Sequence, residues 1–303
     1  MINEYNKAIC QSLQGLTVRK ILKTDKTGIL DLINVLSSTD RLEYSITDEW
    51  FNYAVENVSN CIFVALCNDV LIALACCMVD TASGIGDINI IVNPDYRRKG
   101  VGSLLYANTV QAVSDIKLEA LEGFAMKRLQ DSVAFAENKG FSQICLSWEM
   151  EMNLDGKSQL MVVEAGLNFR KAELPDWNAY TEIISAAFGY QCDQNSFNIL
   201  FEDPSIEVYL LYKSDVAIGT ATIQIRKNNS TGYIYDIAIL QAHRRKGMGS
   251  LLINHCISRL SDLEIRKAIL VVDGTNEDAI KLYKSQGFKV VDIGINFQKI
   301  LKR

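Results

Sequence analysis

Apolar residues along this chain gather in short runs bounded by polar turns, and these runs alternate with longer amphipathic stretches, as strands alternate with helices. Leu16 to Leu22, Cys61 to Cys67, Val70 to Val79 and Asp87 to Val92 read as strands, with a helix near Gly28 to Leu36. A helix from Gly100, a strand near Leu118 and a helix ending at Gly140 follow. The same order then begins again. Asn168 to Glu173 reads as a short strand, and Pro175-Asp176 opens a helix through Phe188, proline suiting a first helical turn. Ile206 to Tyr212 and Val216 to Arg226 read as strands around the turn Lys213-Ser214-Asp215, and Tyr233 to Leu240 as the next strand. A helix from about Gly247 to Leu260, a strand at Ala268 to Val272, a helix at Asn276 to Gln286 and a strand-like remainder complete the second round.

The repetition extends to individual residues. Arg97-Arg98-Lys99-Gly100-Val101-Gly102-Ser103-Leu104-Leu105 recurs as Arg244-Arg245-Lys246-Gly247-Met248-Gly249-Ser250-Leu251-Leu252, and only Val101 and Met248 differ. Gly140-Phe141 and Gly287-Phe288 fall at the same offset of 147 residues. Two anchors at one offset mean two copies of one domain. A chain of 303 residues accommodates two domains of about 150 each. The expected division is 1–155 and 160–303, joined near Asp155-Gly156-Lys157-Ser158.

Composition narrows the function classes. Hydrophobic residues make up 49% and charged residues 22%, as in folded domains rather than disordered chains. The net charge of −5 gives no overall cation excess to favour a nucleic-acid backbone, so no nucleic-acid partner is expected. No apolar run approaches the roughly 20 residues a membrane helix needs. The start Met1-Ile2-Asn3-Glu4-Tyr5 lacks the apolar stretch of a signal peptide. The expected location is therefore cytoplasmic, with no membrane partner. Among eight cysteines, Cys61, Cys67, Cys76, Cys77 and Cys145 lie in apolar strand-like runs, no C-x-x-C pair occurs, and the only histidines are His243 and His255. Reduced, buried thiols are expected, and no metal site.

The duplicated segment carries candidate chemistry. A strand ending at Ile239 leads through Arg244 to Gly249 directly into a helix. The first amide N–H groups of a helix lack internal partners and sit at the positive end of its dipole. Gly247 and Gly249 remove side chains from the path of an approaching phosphate, and Arg244, Arg245 and Lys246 add attraction. The spacing matches neither the P-loop nor the dinucleotide glycine pattern. An anion site of another kind is implied, once in each copy.

These residues resemble the GNAT superfamily, whose members move an acyl group from acyl-CoA to an amine. Its pyrophosphate motif Q/R-x-x-G-x-G/A matches Arg97 to Gly102 and Arg244 to Gly249, and the preceding V-x-P-x-x-R is present as Val92-Asn93-Pro94-Asp95-Tyr96-Arg97. In the second copy Ala242 replaces the proline. The resemblance covers essentially the whole chain and implies an α/β fold of two tandem GNAT-like domains, each a splayed mixed sheet flanked by helices. It implies acetyl-CoA as cosubstrate and an amine acceptor. Acyl-CoA would be held by Ile239, Leu240, Arg244, Arg245, Lys246, Gly247, Met248, Gly249, Ser250 and Asn276. In the first copy the corresponding set is Ile91, Val92, Arg97, Arg98, Lys99, Gly100, Val101, Gly102 and Ser103.

The copies diverge at a second motif. Asn276 to Phe288 resembles the family pattern N-x-x-A-x-x-x-Y-x-x-x-G-F, in which the tyrosine protonates the departing thiolate. Tyr283 would take that role; residue type alone favours a packed aromatic, and its place four residues before Gly287-Phe288 favours the acid. At the corresponding places the first copy has Ala136 and Leu129, and a methyl group donates no proton. Asp236 is the only carboxylate in an apolar and aromatic strand, and some relatives carry there an acid that positions or deprotonates the amine. It also reads as a structural carboxylate, and its counterpart Asn89 cannot act as a base. The expectation is chemistry in the C-terminal copy with Tyr283 as general acid. A non-catalytic acyl-CoA-binding regulator, or a chain with both copies active, remain the rivals. Trp177, Tyr180, Phe188 and Tyr190 either line the acceptor pocket or pack the core. The acceptor itself would meet the loop at Gly189 to Ser196 and the segment after Phe288.

Overall fold

A computed structural model of the chain describes residues 13–41, 46, 48–155, 166–189, 194–226 and 230–301. It divides into two compact units, Met1–Ile144 with Ile295–Arg303, and Cys145–Gly294. The first unit thus takes in the end of the chain from Ile295, and the second begins inside the strand Ser142–Asn153, which a linear reading of the repeat does not reveal. Gly156, Lys157, Ser158 and Tyr190 lie outside the described residues.

In the first unit β1 (Leu16–Lys20), β2 (Ile62–Cys67), β3 (Val70–Asp80), β4 (Ile85–Val92) and β5 (Ala120–Met126) lie side by side in that order. Pairing is antiparallel through β4 and parallel between β4 and β5. Helices α1 (Lys26–Thr39), α2 (Asp48–Asn57), α3 (Val101–Ala112) and α4 (Gln130–Asn138) flank this sheet. Alternate residues of β2 serve different cores. Phe63, Ala65 and Cys67 pack with Val101, Leu104 and Leu105 of α3, whereas Ile62 and Val64 pack with Ile29, Leu32 and Leu36 of α1. A sheet covered on both faces needs apolar residues at every position, hence the unbroken apolar runs.

The second unit repeats the plan. β6 (Ser142–Asn153) enters it from Cys145 onward. It is followed by β7 (Leu167–Lys171), α5 (Trp177–Phe188), α6 (Gln194–Glu202), β8 (Ile206–Lys213), β9 (Val216–Arg226) and β10 (Thr231–Ile239). Then come α7 (Met248–Asp262), β11 (Lys267–Asp273), α8 (Glu277–Gln286) and β12 (Lys289–Ile300), whose residues from Ile295 on belong to the first unit. The sheet runs β6-β11-β10-β9-β8-β7. Tyr209 and Leu211 face Leu252, Cys256 and Leu260 of α7, while Val208 and Leu210 face Tyr180, Ile183 and Ile184 of α5. Full burial of each such side chain contributes about 1.5–3 kcal/mol.

Pattern and structure agree on the predicted strands and helices to within a few residues; β6 is not among the predicted elements, and there are other differences. Pro175 lies in a short 3-10 turn, Leu174–Asp176, ahead of α5. The stretch expected to be an acceptor loop is partly outside the described residues, and from Gln194 it is the helix α6, whose Phe197 is fully buried against Tyr180. This helix and α2 are not among the elements the pattern predicts. Among the described residues no helix is long and apolar enough to cross a membrane. The cysteines described, Cys61, Cys67, Cys76, Cys77, Cys145 and Cys256, are all free thiols.

Candidate active site

The two duplicated loops fold alike. After β10 a 3-10 turn, Gln241–His243, carries the chain to Arg244. Arg245 (φ +60°) and Gly247 (φ +79°) are left-handed, as are Arg98 (φ +60°) and Gly100 (φ +86°) in the first unit. A glycine takes this conformation without the penalty a side chain brings. Leu251 N–H donates to Gly247 O at 3.1 Å, the first bond of α7, and Leu104 N–H does the same to Gly100 O at 3.0 Å. The amides from Arg245 to Ser250, and from Arg98 to Ser103, find no backbone acceptor among the described residues. A Cβ on Gly247 would meet nothing within 4 Å. Each loop therefore presents a crown of amides at a helix N-terminus, the chemistry that suits a phosphate group, and the crown at Gly247 stands open.

The arginines differ in their engagement. Arg244 Nε donates to Ile239 O at 2.8 Å, and Arg97 Nε to Val92 O at 3.0 Å. In the first unit both terminal nitrogens of Arg97 also grip the buried carboxylate of Asp40. Position 187, at the repeat offset from Asp40, is Ala187, and Arg244 has no carboxylate partner among the described residues. Lys246 Nζ and Lys99 Nζ cap carbonyls in their own turns, Ala242 O at 2.9 Å and Asp95 O at 2.8 Å.

The sheet opens beside each loop. β10 and β11 pair only at Thr231–Lys267, Gly232–Ala268 and Tyr233–Ile269, and then diverge. β4 and β5 pair only at Ile85–Ala120, Gly86–Leu121 and Asp87–Glu122. The expected splay is thus present in both units. The backbones bordering it are not alike. On β10, Tyr235 faces Thr222 and Ala238 faces Thr220, so one extra residue bulges out, and Asp236 there takes a left-handed φ of +51°. β4 runs against β3 from Val92 to Ile85 with no shift in register. Gly219 accommodates the bulge: a Cβ on it would stand 2.4 Å from Ile239 Cδ1 and 2.9 Å from Ala238 O. Its counterpart at the repeat offset is Ile72.

Asp236 is half-buried, and its Oδ2 accepts a 2.9 Å hydrogen bond from the Tyr180 hydroxyl. Burial pushes the carboxyl up from its ordinary value, and the Tyr180 bond opposes that rise. The neighbouring Tyr235 phenol is driven above its usual range by burial and by the charges of Asp236 and Asp203.

Tyr283 is buried on α8, edge-on to Phe288 with centroids 6.2 Å apart. Burial lifts its phenol to about 12. Its hydroxyl has no hydrogen-bond partner among the described residues. Asn276 Oδ1 caps α8 by accepting from Ala279 N–H at 3.1 Å, whereas Leu129 makes no side-chain cap for α4. Two contacts bring α8 to the loop: Arg245 pairs with Asp278 at 2.8 Å, and a Cβ on Gly249 would lie 3.0 Å from Leu282 Cδ2. Leu240 N–H donates to Ile218 O at 2.9 Å, and its carbonyl accepts from His243 N–H at 2.8 Å. His243 itself sits half-buried in the 3-10 turn.

Two features of the gaps escaped the sequence. The Tyr180 hydroxyl reaches Asp236 from 56 positions away, and no local pattern signals that. In the first unit Asp87 stands opposite Glu122 at the base of the gap, its carboxyl raised by burial and by the Glu122 charge, with an Asn89 hydrogen bond opposing. Asn89 is therefore not the only polar group there.

A doubled α/β fold with an opened sheet and a glycine-flanked amide crown defines a class of acyl-CoA-handling transferases. The chain belongs to the acetyltransferase (GNAT) family, whose model matches residues 27–141 and again 176–288. Similar proteins include the mycothiol acetyltransferase of Corynebacterium diphtheriae, 24% identical over 240 residues, covering 73% of this chain and 78% of that protein. The enzyme of the same description from Acidimicrobium ferrooxidans is 24% identical over 285 residues, covering 87% and 90%. Among solved structures, a GCN5-related N-acetyltransferase from Sphaerobacter thermophilus superposes with a TM-score of 0.79 at 18% identity, covering 96% of this chain and 97% of that one. A tandem GNAT protein from the clavulanic acid biosynthesis pathway gives 0.78 at 15% identity, covering 95% and 99%. The protein is an N-acetyltransferase with acetyl-CoA as cosubstrate and an amine as acceptor.

Proposed function

We propose that acetyl transfer takes place in the second unit, and that the first unit binds acyl-CoA without turning it over. The observation that supports this is the left-handed bulge at Asp236, present on β10 and absent from β4. A bulge re-aims one side chain and one peptide group away from the sheet ladder, toward the gap in which the thioester would lie. In this reading the amides of Arg245 to Ser250 hold the pyrophosphate of acetyl-CoA, and the opened edge of β10 accommodates its arm.

The acceptor nitrogen attacks the thioester carbonyl, forming the C–N bond and a tetrahedral oxyanion that a backbone N–H of β10 near Ile239 stabilises. One proton passes from that nitrogen to Asp236, whose raised affinity for protons suits it to accept. Collapse breaks the C–S bond, and the sulfur receives a proton from Tyr283, which solvent later restores. The mycothiol acetyltransferase relatives span both units, and this favours a primary amine on a small molecule as acceptor.

Loop lesions in each unit test the assignment. Gly249→Glu and Gly102→Glu each place a carboxylate among the phosphate-binding amides. Release of the CoA thiol over a panel of small amines should collapse in Gly249→Glu and persist in Gly102→Glu. The opposite pattern would transfer the chemistry to the first unit, and loss in both would make the two units interdependent.

A further inference from the structure

We propose that Tyr180 is a positioning residue for the reaction: its hydroxyl fixes one oxygen of Asp236 so that the other meets the attacking amine. This inference rests on the reading of Asp236 as the acceptor-side carboxylate.

The geometry supports it in three ways. Tyr180 is 2% exposed, and its ring is held against Phe197 with centroids 4.9 Å apart, so the hydroxyl has little freedom to move. It donates to Asp236 Oδ2 at 2.9 Å, while Oδ1 accepts no hydrogen bond among the described residues. Asp236 occupies the one position of β10 where the strand bulges, and α5, which carries Tyr180, packs on both β9 and β10. A carboxylate on a left-handed residue has lost the pairing that would otherwise define its direction. The buried phenol supplies a replacement, and it leaves one oxygen with free lone pairs for an amine N–H.

Few other charges bear on the group. From β10 itself Tyr235 is adjacent, and Asp203 acts on that phenol. β9 contributes Thr220, Ala221 and Thr222 opposite the bulge, none of them titratable. Tyr180 is the one neighbour whose hydrogen bond holds the carboxyl down against burial. Its removal should therefore raise the pH at which Asp236 ionises.

The experiment is the pH dependence of kcat/KM for the amine at saturating acetyl-CoA, on the full chain. Tyr180→Phe keeps the ring packing. It should move the acid limb of the profile to higher pH and lower kcat/KM at neutral pH on the order of tenfold, the worth of one hydrogen bond to a charged group. The KM for acetyl-CoA should not change. 3-Fluorotyrosine at position 180, a stronger donor of the same shape, should move the limb the other way and remains informative if the phenylalanine variant folds poorly. Asp236→Asn should abolish the limb. If Asp236→Asn leaves rate and limb intact, the underlying reading of Asp236 fails. If Asp236→Asn removes the limb but neither change at Tyr180 shifts it, Asp236 stands and the positioning role of Tyr180 is refuted.

Discussion

Replacing Tyr283 by phenylalanine removes one oxygen atom and nothing else, and the structure sets the size of the expected effect. General acid catalysis is commonly worth 10²–10⁴-fold. The buried phenol, however, holds its proton to about 12, whereas a free thiol ionises near 8.5. Full transfer from Tyr283 to a free thiolate would thus run uphill by roughly 3.5 pK units, or about 5 kcal/mol. The phenol therefore assists mainly by hydrogen-bonding the sulfur as charge develops and releases its proton late. A hydrogen bond to a charged group is worth about 1.5–3 kcal/mol, which predicts a fall in kcat of about 10- to 150-fold. Stability should hardly change. The hydroxyl has no partner among the described residues, and the ring contact with Phe288 survives the substitution, so the melting curve should shift by less than about 0.5 kcal/mol. Continuous detection of the CoA thiol, with both substrates saturating, measures kcat. The phenol stays protonated up to its raised pKa, so kcat should also show no Tyr283-dependent decline below pH 10. A variant within threefold of the parent kcat would refute the role. So would an alkaline limb at pH 8–9 that vanishes on substitution.

Three further outcomes follow from other parts of the molecule. Glu207 is buried between Arg259 (2.8 and 2.9 Å), Lys171 (3.1 Å) and the Tyr209 hydroxyl (2.6 Å), and these partners, led by Arg259, depress its carboxyl to about 2. A depressed carboxyl stabilises the fold above its unfolded value near 4.5 and loses that contribution as pH falls toward 2. Urea midpoints should therefore drop through this window by the equivalent of about 3 kcal/mol at most, and Glu207→Gln should flatten that part of the dependence while lowering stability at pH 7. Gly219→Ala forces a methyl group onto Ile239 Cδ1 and Ala238 O. It should cost about 1–3 kcal/mol in thermal unfolding and reduce kcat in the folded fraction by displacing the bulge. Asp40→Asn frees the Arg97 guanidinium from its carboxylate; calorimetric titration with CoA should then show tighter binding at the first unit, an effect absent when Arg97→Ala is added.

Much of the architecture was legible in the chain. The repeated Arg-Arg-Lys-Gly segments, at a constant offset, announced two copies, and their glycines marked the turn ahead of each helix. Local chemistry governs these features: a helix N-terminus exposes amides wherever it forms. The order of most strands and helices was readable for the same reason, because alternation and periodicity are local. Asn276 could be assigned as a cap from its place ahead of an amphipathic run, and Asn276 Oδ1 does bond Ala279 N–H.

What the chain alone did not disclose depends on residues far apart. The division of the units at 144/145 and 294/295 is invisible in a repeat whose copies look collinear, since an apolar pattern does not say which strands pair. The bulge needs Gly219 on one strand and Asp236 on another, and neither residue signals the other. Tyr180 reads as a core aromatic until α5 is laid over β10. Asp40 gives no hint that it occupies Arg97. Local sequence determined that two glycine-flanked turns would form ahead of helices and where most strands and helices would lie, α2, α6 and β6 excepted. Tertiary packing decided that Arg97 meets a carboxylate while Arg244 meets none among the described residues, and which carboxylate sits on the bulged strand, because hydrogen bonds and side-chain contacts are set by distance in space and not by distance along the chain.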